Sequence, residues 1–227
     1  KISFINEIAG ICETLGADVR DVRLGIGSDQ RIGHHFIYPG VGYGGSCFPK
    51  DVRALISTAR QNGLEPRVLS AVDRVNEHQK KILALKIQKY FAAQGGVENR
   101  VLAMWGLSFK ANTDDIREAP AIRIIEELTA RGMRIRAFDP AAGDLARNEL
   151  AKNPLVQILD HPYRILEGAD ALAVVTDWNQ FRNPDFQRIK SALKQPVIFD
   201  GRNLYSPTML ADQGFAYFCI GRPVAGF

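Results

Sequence analysis

Between positions 40 and 51 the chain reads Gly40-Val41-Gly42-Tyr43-Gly44-Gly45-Ser46-Cys47-Phe48-Pro49-Lys50-Asp51, a stretch rich in the types that covalent chemistry needs. Its glycines let the backbone turn sharply and come close to a ligand. Cys47 follows at the expected N-terminus of a helix, with Pro49 where a first helical turn tolerates proline. A helix N-terminus favours an anion, and the thiolate is the nucleophilic form of cysteine. Asp51, four residues on, falls one turn below Cys47 on the same face. A carboxylate there could take or relay a proton through water. By type alone a cysteine is as readily a small buried hydrophobe. Cys12 and Cys219 have neither the glycine-rich approach nor the helix start, and they read that way.

The elements that must position this segment follow from periodicity. Ile2, Ile5, Ile8, Ala9 and Cys12 recur at helical spacing up to a stop at Gly16. A second short helix is expected over 18–24, and 25–46 is turn-rich without a sustained period. A helix from Phe48 to Arg60 follows. Then Val68, Leu69, Val72, Val75, Ile82, Leu83, Ile87 and Tyr90 trace one long helix from about Pro66 to Phe91, roughly 38 Å if unbroken. Past Gln94-Gly95-Gly96 the alphabet changes. Strands are expected at 101–106, 134–138, 156–159, 171–176, 197–199 and 216–220, mostly separated by helical stretches such as 119–130. Alternation of this kind implies a parallel sheet covered on both faces. The expected fold class is therefore α/β. Residues 1–94 form an all-helical domain with a long connecting helix, and 95–227 a Rossmann-like domain. The first turn of that domain, Gly106-Leu107-Ser108-Phe109-Lys110, lacks the GxGxxG fingerprint of a dinucleotide site.

Composition narrows the function classes. The 227 residues are 46% hydrophobic and 24% charged, with a net charge of +4, ordinary for a globular chain that buries a core. Scattered basic residues do not call for nucleic acid. No apolar run reaches the roughly 20 residues of a membrane span. Three cysteines without CxxC spacing argue against a disulfide framework or a metal site and fit a reducing cytoplasm. The chain starts in helical rhythm at Lys1, without an initiator Met and without a signal peptide, which is the expectation for a piece of a longer protein. His34, His35, His78 and His161 match no catalytic pattern.

Five segments occur here in a recognisable order: Lys1-Ile2-Ser3-Phe4-Ile5-Asn6-Glu7-Ile8, Gly25 to Gly33, Gly40 to Asp51, Phe109 to Glu118, and Phe199-Asp200-Gly201-Arg202-Asn203. Together they resemble the UDP-glucose 6-dehydrogenases over essentially the whole chain. Relatives acting on GDP-mannose share the Gly-Gly-Ser-Cys core, but Asp29 to Gly33 and the Phe-Lys-x-Asn-Thr-Asp-Asp run look more like the UDP-glucose branch. The resemblance implies an NAD-dependent oxidoreductase that converts UDP-glucose to UDP-glucuronate in two oxidations. It makes Cys47 the nucleophile of a thiohemiacetal and then a thioester, and Asp51 the carboxylate supporting proton transfer. Phe36, Ile37, Tyr38, Pro39, Gly40 and Gly44 match a loop that wraps the sugar nucleotide, and Lys110 a substrate-bound lysine. Arg202 matches an arginine near the sugar nucleotide, Arg31 one that crosses into a neighbouring subunit's site, and Arg117 one that reaches the NAD pyrophosphate. It further implies a homodimer or larger homo-oligomer. The family's first nucleotide-binding domain and a catalytic Lys and Asn would lie upstream of Lys1, so these residues alone are expected to be inactive. In isolation the rival reading is a non-catalytic sugar-nucleotide-binding or dimerisation module. A redox-sensing cysteine protein lacks a resolving cysteine near Cys47.

Overall fold

The structure is a computed structural model and describes residues 1–226. Five helices come first: α1 (Ile2–Leu15), α2 (Val19–Gly27), α3 (Phe48–Gln61), α4 (Arg67–Gln79) and α5 (Ile82–Ala92). An alternating series then runs β1 (Val101–Trp105), α6 (Pro120–Thr129), β2 (Arg134–Phe138), α7 (Gly143–Glu149), β3 (Val156–Ile158), β4 (Ala171–Val174), α8 (Phe186–Ala192), β5 (Val197–Asp200), α9 (Pro207–Asp212) and β6 (Ala216–Phe218). All strand pairs are parallel, and the order across the sheet is β3-β2-β1-β4-β5-β6. This is the doubly wound Rossmann order, in which the strand sequence reverses between β1 and β4.

Strand alternation distributes the core between two faces. Leu102 and Met104 of β1 join Ile135, Ala173 and Phe199 in one apolar cluster, covered by Leu83, Ile87 and Phe91 of α5 and Ile124 and Leu128 of α6. Val101, Ala103 and Trp105 face the other way, toward Phe181, Ile189, Leu210 and Tyr217. Trp105 stacks on Phe181 at 5.0 Å between ring centroids and donates its indole N–H to the Pro162 carbonyl, so its polar edge is satisfied while its area is buried. Ile5, Ala9 and Cys12 of α1 belong to the first cluster. Gly221, following β6, closes this contact: Val19 N–H donates to the Gly221 carbonyl at 2.8 Å, and Arg222 pairs with Asp18 at 3.1 Å.

The single helix expected from 66 to 91 is in fact two. Lys81 N–H bonds the His78 carbonyl, one residue short of helical spacing, and the chain turns at Lys80-Lys81. The turn separates two apolar stripes with different targets. α4 lies against α1 and α3, whereas α5 lays Leu83, Ile87 and Phe91 on the sheet. The short second helix starts at Val19, where Asp18 caps it by accepting the Arg20 N–H at 2.8 Å, and runs further than expected, to Gly27, where the Ser28 N–H still bonds the Leu24 carbonyl at 3.2 Å.

Candidate active site

The segment from 36 to 47 leads from α2 to α3 without regular structure, so its backbone groups need partners elsewhere. Buried side-chain amides supply them. Gly40 N–H donates to Asn6 Oδ1 at 2.9 Å, and its carbonyl accepts Gln79 Nε2 at 2.7 Å. Asn76 grips Tyr43 at both ends, accepting its N–H at 2.9 Å and donating to its carbonyl at 3.0 Å. Asn6, Asn76 and Gln79 are each at most 5% exposed. A buried amide that lost its partner would be costly, so these bonds hold the loop firmly. Asn76 and Gln79, three residues apart on α4, share a face. That spacing was the sequence signal for this clamp, and it passes for ordinary helix polarity until the loop is seen against it.

Gly44 and Gly45 then pass over the approach to α6. Gly45 adopts φ +88° and donates its N–H to the Arg117 carbonyl at 2.9 Å. A Cβ on Gly44 would fall 2.2 Å from the Glu118 carbonyl oxygen, so only glycine lets the two backbones lie this close. Cys47 is the residue preceding α3, its carbonyl accepting the Asp51 N–H at 2.8 Å, and its side chain is exposed, with Ser46 Oγ 3.7 Å from its sulfur. Asp51 is exposed in the first turn and lies 3.5 Å from Lys50.

A cavity of about 430 Å³ opens beside this loop, and its wall includes Phe36, Tyr38, Gly40, Gly44, Lys110 and Arg202. These are expected site residues drawn from three separate stretches of chain. Asn6 also reaches the wall, with its Nδ2 buried and unpaired. The Arg202 guanidinium is fixed by the Val175 carbonyl (2.7 Å) and the Phe109 carbonyl (3.1 Å). Burial lowers its affinity for the proton, and Asp177 and Asp200 work in the opposite direction. Lys110 is exposed, its ammonium 5.4 Å from the centre of the Phe109 ring. The remaining expected residues lie outside the cavity wall. Ile37 is buried in the core and Pro39 is half-buried beside it. Arg31 projects into solvent, chelated by Asp29. Arg117 is likewise exposed and forked onto Asp115, with bonds of 2.9 Å from Nε and Nη2. Its proton is held more tightly chiefly by Asp115 and in smaller part by the nearby Cys47 sulfur.

The sheet's own nucleotide crevice is filled from within. In a dinucleotide-binding sheet the N–H groups after the first strand receive a pyrophosphate. Here Leu107 and Ser108 N–H both donate to Asp139 Oδ2, at 2.7 and 3.0 Å, and Trp178 Nε1 reaches the same oxygen at 3.2 Å. The other oxygen accepts Ala141 and Ala142 N–H. The residues of this sheet therefore do not fit NAD at that place. Among the described residues no group of His, Cys, Asp and Glu is arranged to hold a metal, and no helix is long and apolar enough to cross a membrane.

Two family models match the chain. Residues 1–78 match the central domain of the UDP-glucose/GDP-mannose dehydrogenase family, and residues 103–207 match that family's UDP binding domain. The chain belongs to this family. A UDP-glucose 6-dehydrogenase of Pseudomonas aeruginosa is 52% identical over 229 residues, covering 100% of this chain and 50% of the relative. One from Rhizobium meliloti is 44% identical, covering 98% and 50%. Among solved structures, a UDP-glucose dehydrogenase from Pyrobaculum islandicum superposes with a TM-score of 0.78 at 35% identity, covering 88% of this chain and 44% of that one. An NDP-N-acetyl-D-galactosaminuronic acid dehydrogenase from Methanosarcina mazei gives 0.84 at 27% identity, covering 99% and 48%. The chain thus spans about half the length of the curated relatives it matches.

Proposed function

We propose that this chain is the nucleophile-bearing and UDP-sugar-binding part of an NAD-dependent UDP-glucose 6-dehydrogenase, which turns UDP-glucose into UDP-glucuronate while two NAD are reduced. The observation that carries the reading is the convergence of Gly40, Gly44, Lys110 and Arg202 on one cavity whose wall also includes Phe48, the residue after Cys47. Lys110 and Arg202 bring positive charge to a diphosphate, and the loop from Phe36 to Gly44 offers backbone groups and aromatic faces to the rest of the sugar nucleotide. Cys47 Sγ adds to the aldehyde carbon to form a thiohemiacetal. Once that carbon is oxidised again, water releases the acid from the thioester and Asp51 accepts a proton of the attacking water. NAD, when bound, supplies the electron acceptor. Arg117 is the side chain of this chain proposed to meet its pyrophosphate, and Arg31 is proposed to serve a neighbouring subunit's site. The names of the curated relatives favour UDP-glucose over GDP-mannose.

The proposed organisation is a helical unit over 1–94 and a UDP-sugar-binding unit over 95–227, paired with at least one further copy and working in the cytoplasm. Large apolar side chains left exposed on the helices, such as Phe4, Ile11, Leu15 and Val68, support the pairing. Titration calorimetry tests the reading. Residues 1–227 should bind UDP-glucose and give no measurable heat with NAD. Micromolar NAD binding would overturn the assignment of the cavity. In an enzyme containing these residues, Cys47→Ser should abolish steady NADH formation while UDP-glucose still binds, and near-normal turnover would refute the nucleophile.

A further inference from the structure

Glu118, two residues ahead of α6, adopts φ +53°, a backbone state that a residue with a Cβ holds only when its surroundings over-determine it. Its side chain shows what does so. Oε1 accepts Arg53 Nη1 at 2.9 Å, and Oε2 accepts the Lys80 ammonium at 2.7 Å. Lys80 is fully buried and also bonds Glu77 Oε1 at 2.8 Å. Arg53 donates its Nη2 to that same Glu77 oxygen at 2.8 Å, and its Nε lies 3.4 Å from Asp73. One ionic cluster thus ties together α3, the α4–α5 turn and the approach to α6.

The cluster lies directly under the turn that delivers Cys47. The Glu118 carbonyl is the atom that a Cβ on Gly44 would strike, and the neighbouring Arg117 carbonyl receives the Gly45 N–H. Burying an ammonium among carboxylates is a poor way to gain stability compared with packing an apolar residue of the same volume. The apolar cores of the sheet close without it. What the cluster uniquely supplies is geometry: α3 is joined through Arg53 to the loop bearing Lys110 and Arg117.

We propose that Glu118, acting through Arg53 and Lys80, is a positioning residue for the Cys47 segment, locking the Gly44–Gly45 turn and the first turns of α3 onto the 109–118 loop. The inference rests on the reading of Cys47 as nucleophile and of the cavity beside it as the UDP-sugar site. Misplacement of a reacting group by about 1 Å can cost roughly 100-fold, so a tether of this kind would have a function that stability alone does not measure.

Hydrogen–deuterium exchange of residues 1–227, read by mass spectrometry, tests it. Arg53 has a 41% exposed side chain, so Arg53→Gln removes the tether to α3 without emptying a buried site, and Glu118→Gln removes the hub itself. In both variants the amides of 44–48 should exchange about tenfold faster or more, while β1, β4 and α6 remain unchanged. Arg53→Lys, which keeps a cation but not the fork, should fall between. UDP-glucose affinity should weaken in the same order. Exchange of 44–48 within about twofold of the parent in Arg53→Gln and Glu118→Gln, with circular dichroism unchanged, would overturn the tether. If the parent binds no UDP-glucose, the site assignment fails instead, and the exchange comparison still decides the positioning role.

Discussion

Replacing Gly44 by alanine isolates the close approach on which the candidate site is built. The added Cβ would stand 2.2 Å from the Glu118 oxygen and 2.7 Å from its carbonyl carbon. Both are backbone atoms, so no rotamer change relieves the contact. Reaching even 3.0 Å requires the two segments to part by about 0.8 Å. The Gly45 N–H to Arg117 bond, now 2.9 Å, stretches with them. Losing that buried bond costs about 1–2 kcal/mol, and overpacking adds about 1–3 kcal/mol. Restricting the unfolded chain returns about 0.5 kcal/mol. The expected net loss is about 2–4 kcal/mol by urea denaturation at pH 7, together with weaker UDP-glucose binding as the loop lifts from the cavity. Gly10 is the control: it lies inside α1, and a methyl group added there would meet nothing within 4 Å, so Gly10→Ala should be neutral or stabilise by up to about 1 kcal/mol. A Gly44→Ala protein within about 0.5 kcal/mol of the parent, with unchanged UDP-glucose affinity, would refute the reasoning, because surface-like tolerance cannot coexist with that contact.

Three further outcomes follow from the same contacts. Lys80 first, then Arg53, hold the Glu118 carboxyl down to about 2, below its ordinary 4.5. Its stabilising contribution is therefore complete above about pH 4.5 and declines as pH falls toward 2. Discounted for a side chain that is 30% exposed, it amounts to about 2 kcal/mol. The urea stability gap between the parent and Glu118→Gln should be constant from pH 7 to 5 and narrow below, and a gap that widened in acid would contradict the ion pairing. Iodoacetamide should label exposed Cys47 in the native protein and spare Cys12 and Cys219. Burial hides those two and raises both thiols, Cys219 to about 12. Equal labelling by mass spectrometry would be inconsistent with this fold. Sedimentation of residues 1–227 should show a dimer or larger, since Ile11, Leu15 and Val68 are 49%, 75% and 76% exposed; a monomer at high concentration would count against pairing.

The sequence by itself determined the order of elements and the residue types at the candidate site. Apolar runs placed all six strands, because a buried strand leaves a short hydrophobic signature, and the glycines before Cys47 and the proline after it marked the turn and helix start that carry it. Two things were decided only in the tertiary structure. The helix expected from 66 to 91 divides at Lys80, since periodicity reports that a face is apolar but not which body it will pack against. The loop's supports, Asn6, Asn76, Gln79, Arg53 and Glu118, were not legible as supports: the three-residue spacing of Asn76 and Gln79 puts both on one face, but a polar residue reads the same whether it meets water or a distant backbone. Their partners lie 24–65 positions away in the chain, and separations of that length are set by how helices and sheet come together rather than by any local pattern.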